Sequence, residues 1–290
     1  LNLIWSIEGN FTDFRVANGK IYVIEYRGDF CYLDIFDGNG NLVKSFRVLD
    51  LKEVFNVEEL PEEIRKTIAE STAISIEVRD DKIYVSYTTW HYVSGSVVGP
   101  YRIMLSRFDE DGNLELKKVI YESEEPDAVG SILNYRDGFL LAVSSKSCRY
   151  IYIDEDGNIL GEARWWPPFR EGCGAGARVF DDRAYILGRE PTAFAGFVGL
   201  INESVRVNES FYYTKAQLIF VKKGSVWQDN SLVWDVLLDD NKLYVIGLVQ
   251  MDAPSGAFIV RVDPYLNVDI SSLLERADVI YLEDIPPCKP

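Results

Sequence analysis

The sequence holds one histidine, two methionines and three glutamines among 290 residues, with no Cys-X-X-Cys pair and no cluster of basic residues. Each shortage excludes a chemistry. A zinc site needs several His or Cys ligands. A serine triad would have only His91 as its base, with no Gly-X-Ser-X-Gly elbow to present the nucleophile. Cys173-Gly174-Ala175-Gly176 lacks the Gly-Lys-Ser/Thr that completes a phosphate loop. No stretch approaches the roughly 20 apolar residues of a membrane-spanning helix. Thirty basic against 46 acidic residues leave a net charge of −16, which argues against nucleic acid as a partner and favours solubility. Carboxylates are too many for one pair to be singled out for glycoside chemistry. The reading therefore carries no cofactor, no metal and no catalytic residue.

What the chain does have is a pair of turns repeated five times in the same order. The first opens Asn18-Gly19-Lys20-Ile21-Tyr22-Val23 and returns before Ile83, Phe139, Ala184 and Leu243. The second is Asp37-Gly38-Asn39-Gly40-Asn41, then Asp109–Asn113, Asp154–Asn158, Lys222-Lys223-Gly224-Ser225 and Asp263–Asn267. Two hairpins per unit make a four-stranded antiparallel sheet, and serial sheets of this kind predict an all-β, five-bladed β-propeller, with six blades as the alternative. The expected blades cover about 11–48, 72–121, 127–166, 175–227 and 229–276. Residues 49–70 read as a helical insertion after the first blade, with Pro61 near a helix start and acids in its first turn. Asn2–Ile7 resembles the fourth-strand sequence Asn41–Phe46, so residues 1–7 are expected to close the ring; Val279–Leu282 could instead belong to a degenerate sixth blade. The Asp109-X-Asp111-X-Asn113 spacing opens like a calcium loop. Leu114 and Ile120 stand where an EF-hand needs glycine and glutamate, so it reads as a hairpin turn.

Blade register pairs Cys31 with Cys288 and Cys148 with Cys173, because each pair falls on neighbouring segments of a ring. Sequons stand at Asn10, Asn202 and Asn208, two of them in one long loop. A first residue of Leu rather than Met fits a mature product whose leader is gone, or a trimmed chain. Together these place the protein outside the cell or on its surface. The scarcity of Gln, Met and His beside plentiful Glu, Tyr, Val and Ile is a bias of proteins from hot environments.

The hairpin pairs resemble the propeller repeats of the NHL, Kelch and quinoprotein-like group over nearly the whole chain. The likeness is architectural: the Trp-Asp dipeptide of WD40 repeats and the Ser-X-Asp-X-Gly box of sialidases are both missing, so it implies a fold and no activity. In such a fold the tight turns share one face, where turn residues should be interchangeable. The extra length is expected on the other face, in 54–69, 88–101, 165–176, 190–214 and 250–257. That face is the candidate site, with Trp90, His91, Tyr92, Trp165, Trp166, Phe169 and Arg170 as partner-binding residues. The expected function is a non-enzymatic module that binds a protein, a surface glycan or further copies of itself in an extracellular assembly. The alternative is a secreted carbohydrate-active enzyme using carboxylates of a central pocket.

Overall fold

The computed structural model describes residues 11–54, 74–93, 96–124, 128–144, 149–164, 176–180, 183–190, 195–201, 206–207, 210–211, 215–219, 221–223, 226–228, 231–249, 256–266 and 280–281, with Ser6 and Gly9. These residues form an all-β chain of four-stranded antiparallel meanders, the repeating unit of a β-propeller. The first sheet is β1 (Phe11–Ala17), β2 (Lys20–Arg27), β3 (Phe30–Asp37) and β4 (Leu42–Asp50). The second is β5 (Ile74–Arg79), β6 (Lys82–Val93), β7 (Ser96–Asp109) and β8 (Leu114–Ser123). The third is β9 (Ala128–Tyr135), β10 (Gly138–Ser144), β11 (Arg149–Ile153) and β12 (Ile159–Arg164). The fourth joins β13 (Gly176–Phe180), β14 (Arg183–Glu190) and β15 (Ala195–Leu200) to β18 (Lys215–Ile219). Between them, β16 (Arg206–Val207) and β17 (Ser210–Phe211) reach back to the outer edge of β12. After a two-stranded hairpin, β19 (Val221–Lys223) and β20 (Val226–Gln228), the fifth sheet is β21 (Ser231–Asp239), β22 (Lys242–Val249), β23 (Gly256–Val262) and β24 (Ile280–Tyr281).

The chain divides into two compact units, Leu1–Val143 with Ile151–Leu160, and Ser144–Tyr150 with Gly161–Pro290. In the first unit one core lies between the first two sheets, where Tyr22, Ile24 and Leu33 meet Ile76, Ile83 and Val85. A second core sets Tyr84, Ile103 and Leu105 against Ile132, Phe139 and Leu141. In the second unit Tyr185, Leu187 and Val198 pack with Val236, Leu243 and Val245. The strands in these cores are apolar on both faces because sheets cover both, which is why their sequences alternate poorly.

Both turn families follow from backbone chemistry. Asn18-Gly19, Asp80-Asp81 and Asp240-Asn241 all take positive φ (51° and 70°, 48° and 61°, 45° and 55°), as two-residue hairpins of the primed type require. In the second family one aspartate holds the whole turn. Asp37 accepts the N–H of Asn39 and of Asn41 (both 2.9 Å) and the Asn41 side-chain amide (2.9 Å). Asp109 and Asp154 bind Asn113 and Asn158 in the same way. The Asp-X-Asp-X-Asn spacing is therefore spent on the turn itself.

Two of these turns, those at Asp109–Asn113 and Asp154–Asn158, wedge against the sheet before them, so their glycines are not interchangeable. Gly112 (φ 84°) lies so close to Phe46 that a β-carbon would come within 2.6 Å of the ring, and Gly157 stands likewise over Ile120. Lys44 pairs with Asp111 at 2.6 Å, and Lys118 reaches Asn158 at 2.7 Å. The tyrosine of the first repeat motif completes the lock. Tyr22 donates to Glu110 (3.3 Å), and burial followed by that carboxylate pushes its hydroxyl up to about 12. Tyr185 donates to the Pro264 carbonyl at 2.7 Å. Glu110 and Pro264 hold the same second place in their turns.

Four sequence expectations change. Residues 88–101, read as a loop, are continuous strand: β6 and β7 pair through His91↔Val98, Tyr92↔Val97 and Val93↔Ser96. The 190–214 loop contains a strand, β15, whose end at Leu200 pairs beside Tyr185. Its extra residues thus form the connection between third and fourth strands, at the tight-turn end of that sheet, so loop growth is not confined to one face. The Lys222–Ser225 turn belongs to the separate β19–β20 hairpin rather than to the fourth sheet. The fourth strand of the fifth sheet is Ile280–Tyr281. The helix expected in 49–70 lies outside the described residues beyond Val54; before it stands only a short 3-10 turn, Leu51–Glu53, capped by Asp50. The closing strand of residues 1–7 lies outside them too, Ser6 excepted.

Gly138 gives a direct test of sheet packing, since a β-carbon there would overlap the carbonyl oxygen of Ile153, a backbone atom that cannot swing aside. Gly138→Ala is expected to lower stability by about 2–4 kcal/mol in urea unfolding. Gly38→Ala, where the nearest atom is 3.9 Å away, should cost less than about 1 kcal/mol.

Candidate functional site

The first strand of each sheet has one edge with no strand of its own sheet beside it, and its polar groups must be satisfied otherwise. In the first unit the neighbouring sheet's side chains do this. Asp13 on β1 accepts from the backbone N–H of Ile76 (3.0 Å) and the Ser75 hydroxyl (2.7 Å) on β5. Ser75 in turn accepts from the N–H of Ile132 (3.1 Å) on β9. Glu77 accepts from the N–H of Asn134 (3.2 Å), and Thr88 from that of Val129 (2.8 Å). Arg15 lies between the two acids, 2.8 Å from Asp13 and 3.5 Å from Glu77, and donates to the Ile132 carbonyl (3.3 Å).

A second device recurs on three inner strands. Asp13, Glu77 and Asp235 each also accept from the N–H of the following residue, at 2.8, 3.0 and 2.8 Å. In the second unit Arg178 on β13 grips Asp235 on β21 at 2.8 Å. Three of these residues share a sequence signal: Asp13, Ser75 and Asp235 each lie five places before the first residue of the hairpin turn that follows, whereas Glu77 and Thr88 do not.

Chemically, Asp13 is saturated: four donors occupy its two oxygens. Glu77 differs. Burial raises its pKa against the pull of the Val78 N–H and of Arg15, so the fold favours its protonated form. Among the described residues no three His, Cys, Asp or Glu side chains converge to hold a metal ion.

Of the sequence-derived site residues, Trp90, His91 and Tyr92 stand on β6, where it runs with β7 beyond Tyr87 and Tyr101, the last positions paired to β5 and β8. Past Thr89 and Tyr101 the pair continues as a two-stranded ribbon over 90–93 and 96–100, about 13 Å long. At its foot Trp90 is half-buried against the core of the first two sheets, and its N–H donates to the Val54 carbonyl at 2.9 Å. Trp165, Trp166, Phe169 and Arg170 lie outside the described residues, as do Asn10, Asn202, Asn208, Cys148, Cys173 and Cys288. Cys31 is a buried free thiol whose pKa burial pushes up to about 12, which keeps it protonated and a poor nucleophile.

Opposite pKa shifts give a signed pH test. Asp37 and Asp109 are held below the usual carboxylate range, first by the Asn41 and Asn113 side-chain bonds; their contribution is present above the unfolded Asp value of about 3.9 and is lost as pH falls through the folded one. Glu77 contributes in the other sense, most below the unfolded Glu value of about 4.3 and less as pH rises through its raised folded value. Urea midpoints from pH 3 to 8 should show Asp109→Asn flattening the acid limb. Glu77→Gln, which leaves one oxygen for the N–H groups of Val78 and Asn134, should cost about 1–3 kcal/mol at pH 7, and an unchanged midpoint there would mean that these N–H groups do not need the carboxylate.

No protein-family profile matches this sequence, and no curated protein sequence matches it. Solved structures similar to it include one from a study of two prolyl endopeptidases and their inter-domain dynamics, at 12% identity over 88% of this chain and 34% of that one, TM-score 0.47. A GH43 protein from Bacillus licheniformis is similar at 11% identity over 87% and 52%, TM-score 0.43. An α-L-arabinofuranosidase from Clostridium thermocellum is similar at 12% identity over 87% and 90%, TM-score 0.42. This chain thus spans about a third of the prolyl endopeptidase and about half of the Bacillus protein. The serial four-stranded meanders carry the β-propeller class; nothing narrows it to NHL, Kelch or quinoprotein-like repeats.

Proposed function

We propose that this chain is a five-bladed propeller, outside the cell or on its surface, that binds a glycan or a glycan-bearing protein through the β6–β7 ribbon. The observation that carries the reading is the ribbon itself, which extends past the sheet that supports it and places His91 and Tyr92 beyond the last positions paired to β5 and β8. Aromatic rings present a large rigid surface with a polar edge, which suits stacking on a sugar face. In this proposal Trp90 anchors the ribbon, and Trp165, Trp166, Phe169 and Arg170 of the other unit are separate candidates, each tested by its own alanine variant. The inner-strand carboxylate Asp13 is engaged in joining sheets, which favours binding over catalysis.

A second reading is hydrolysis of the bound glycan, the activity class of the arabinofuranosidase named above. Glu77 favours it, because burial raises the pKa of its carboxyl, the direction in which a general acid for glycosidic bonds is tuned.

A glycan array followed by calorimetry on the best ligand tests both. His91→Ala with Tyr92→Ala is expected to weaken binding at least about tenfold, equivalent to about 1.4 kcal/mol, with an unchanged melting temperature. Full affinity in the double variant would remove the ribbon from the site. Cleavage of the ligand by the wild type but not by Glu77→Gln would replace binding with hydrolysis.

A further inference from the structure

We infer that the β16–β17 hairpin is a strap that lifts off β12 on its own, while the sheets on either side stay folded. The chain leaves β15 at Leu200, forms a hairpin with two register pairs, Arg206↔Phe211 and Val207↔Ser210, and returns to β18 at Lys215. Its hold on β12 is parallel and is limited to Glu162↔Ser210 and Ala163↔Phe211. Neighbouring contacts in the same unit are longer and antiparallel: β14 and β15 pair at six positions, and β15 and β18 at five. A two-stranded hairpin has little stability of its own in water, and parallel pairing is slightly weaker per residue. Among the described pairings of the unit only β23–β24 and the hairpin itself are as short, and both are antiparallel, so this attachment is the weak one. The sheet side is better fixed, because Glu162 holds the buried Arg149 at 2.8 Å. Lifting the strap bares the outer edge of β12, a row of backbone donors and acceptors able to take another strand.

Native-state hydrogen exchange on the whole chain, with urea raised in steps below the unfolding midpoint, reads this directly. Amides of residues 206, 207, 210 and 211 should exchange at least ~100-fold faster than those of β14, with little dependence on urea. Ser210→Pro, which removes one ladder donor, should abolish the remaining protection of residues 206, 207 and 211 and leave β14 protection and the melting temperature unchanged. If the strap amides exchange in step with β14 as urea rises, or if Ser210→Pro also strips β14 of protection, the strap is part of the cooperative core and the inference fails.

Discussion

An antiparallel sheet leaves the outward N–H groups of its first strand without a partner, and in a chain of stacked sheets those groups are covered from water by the next sheet. Leaving one unsatisfied costs about 1–3 kcal/mol. In the first unit this constraint is met by Asp13, Ser75, Glu77 and Thr88, which reach from one sheet to the inner strand of the next. The same side chains that cap the strands therefore fix the spacing of the sheets. It follows that the inner-strand polar residues, which a search for chemistry would take as an active site, are first of all part of the scaffold.

The outer parts of the sheets are joined by a second device, and it accounts for the sequence repeat itself. In two repeats the motif's tyrosine reaches the second residue of a later turn, Tyr22 to Glu110 and Tyr185 to Pro264. The glycine of that turn rests on the preceding outer strand, as Gly112 does on Phe46. One motif makes sense only beside the other, one sheet further on. This is why the two recur together and in order.

How much could be read in advance follows from which signals are local. Turns are local: Asn-Gly and Asp-X-X-Gly-Asn announce themselves, and the four-stranded unit followed from them. β15 was missed because Ala195-Gly196-Phe197-Val198-Gly199-Leu200 carries two glycines, which weaken any strand pattern. The ribbon does carry a strand signal, since Thr88–Val93 is β-branched and aromatic and Ser94-Gly95 is a turn dipeptide, but its tryptophan and single histidine are equally what a binding loop would show. The inner-strand clasps were not legible residue by residue, because an aspartate in a strand has no meaning until the neighbouring N–H is known. Only Asp13, Ser75 and Asp235 share an offset from the following turn that betrays them.

The central claim is that side chains of one sheet satisfy the inner edge of the next, and a double-mutant cycle on Asp13 and Ser75 addresses it most directly. The two residues sit on different sheets and share a 2.7 Å hydrogen bond. Asp13→Ala, Ser75→Ala and the double variant, unfolded in urea at pH 7, should give a coupling of about 1–2 kcal/mol, with each single change costing more than the second change made after it. Additivity within about 0.3 kcal/mol would show that the two sheets are held by apolar packing alone and would contradict the account.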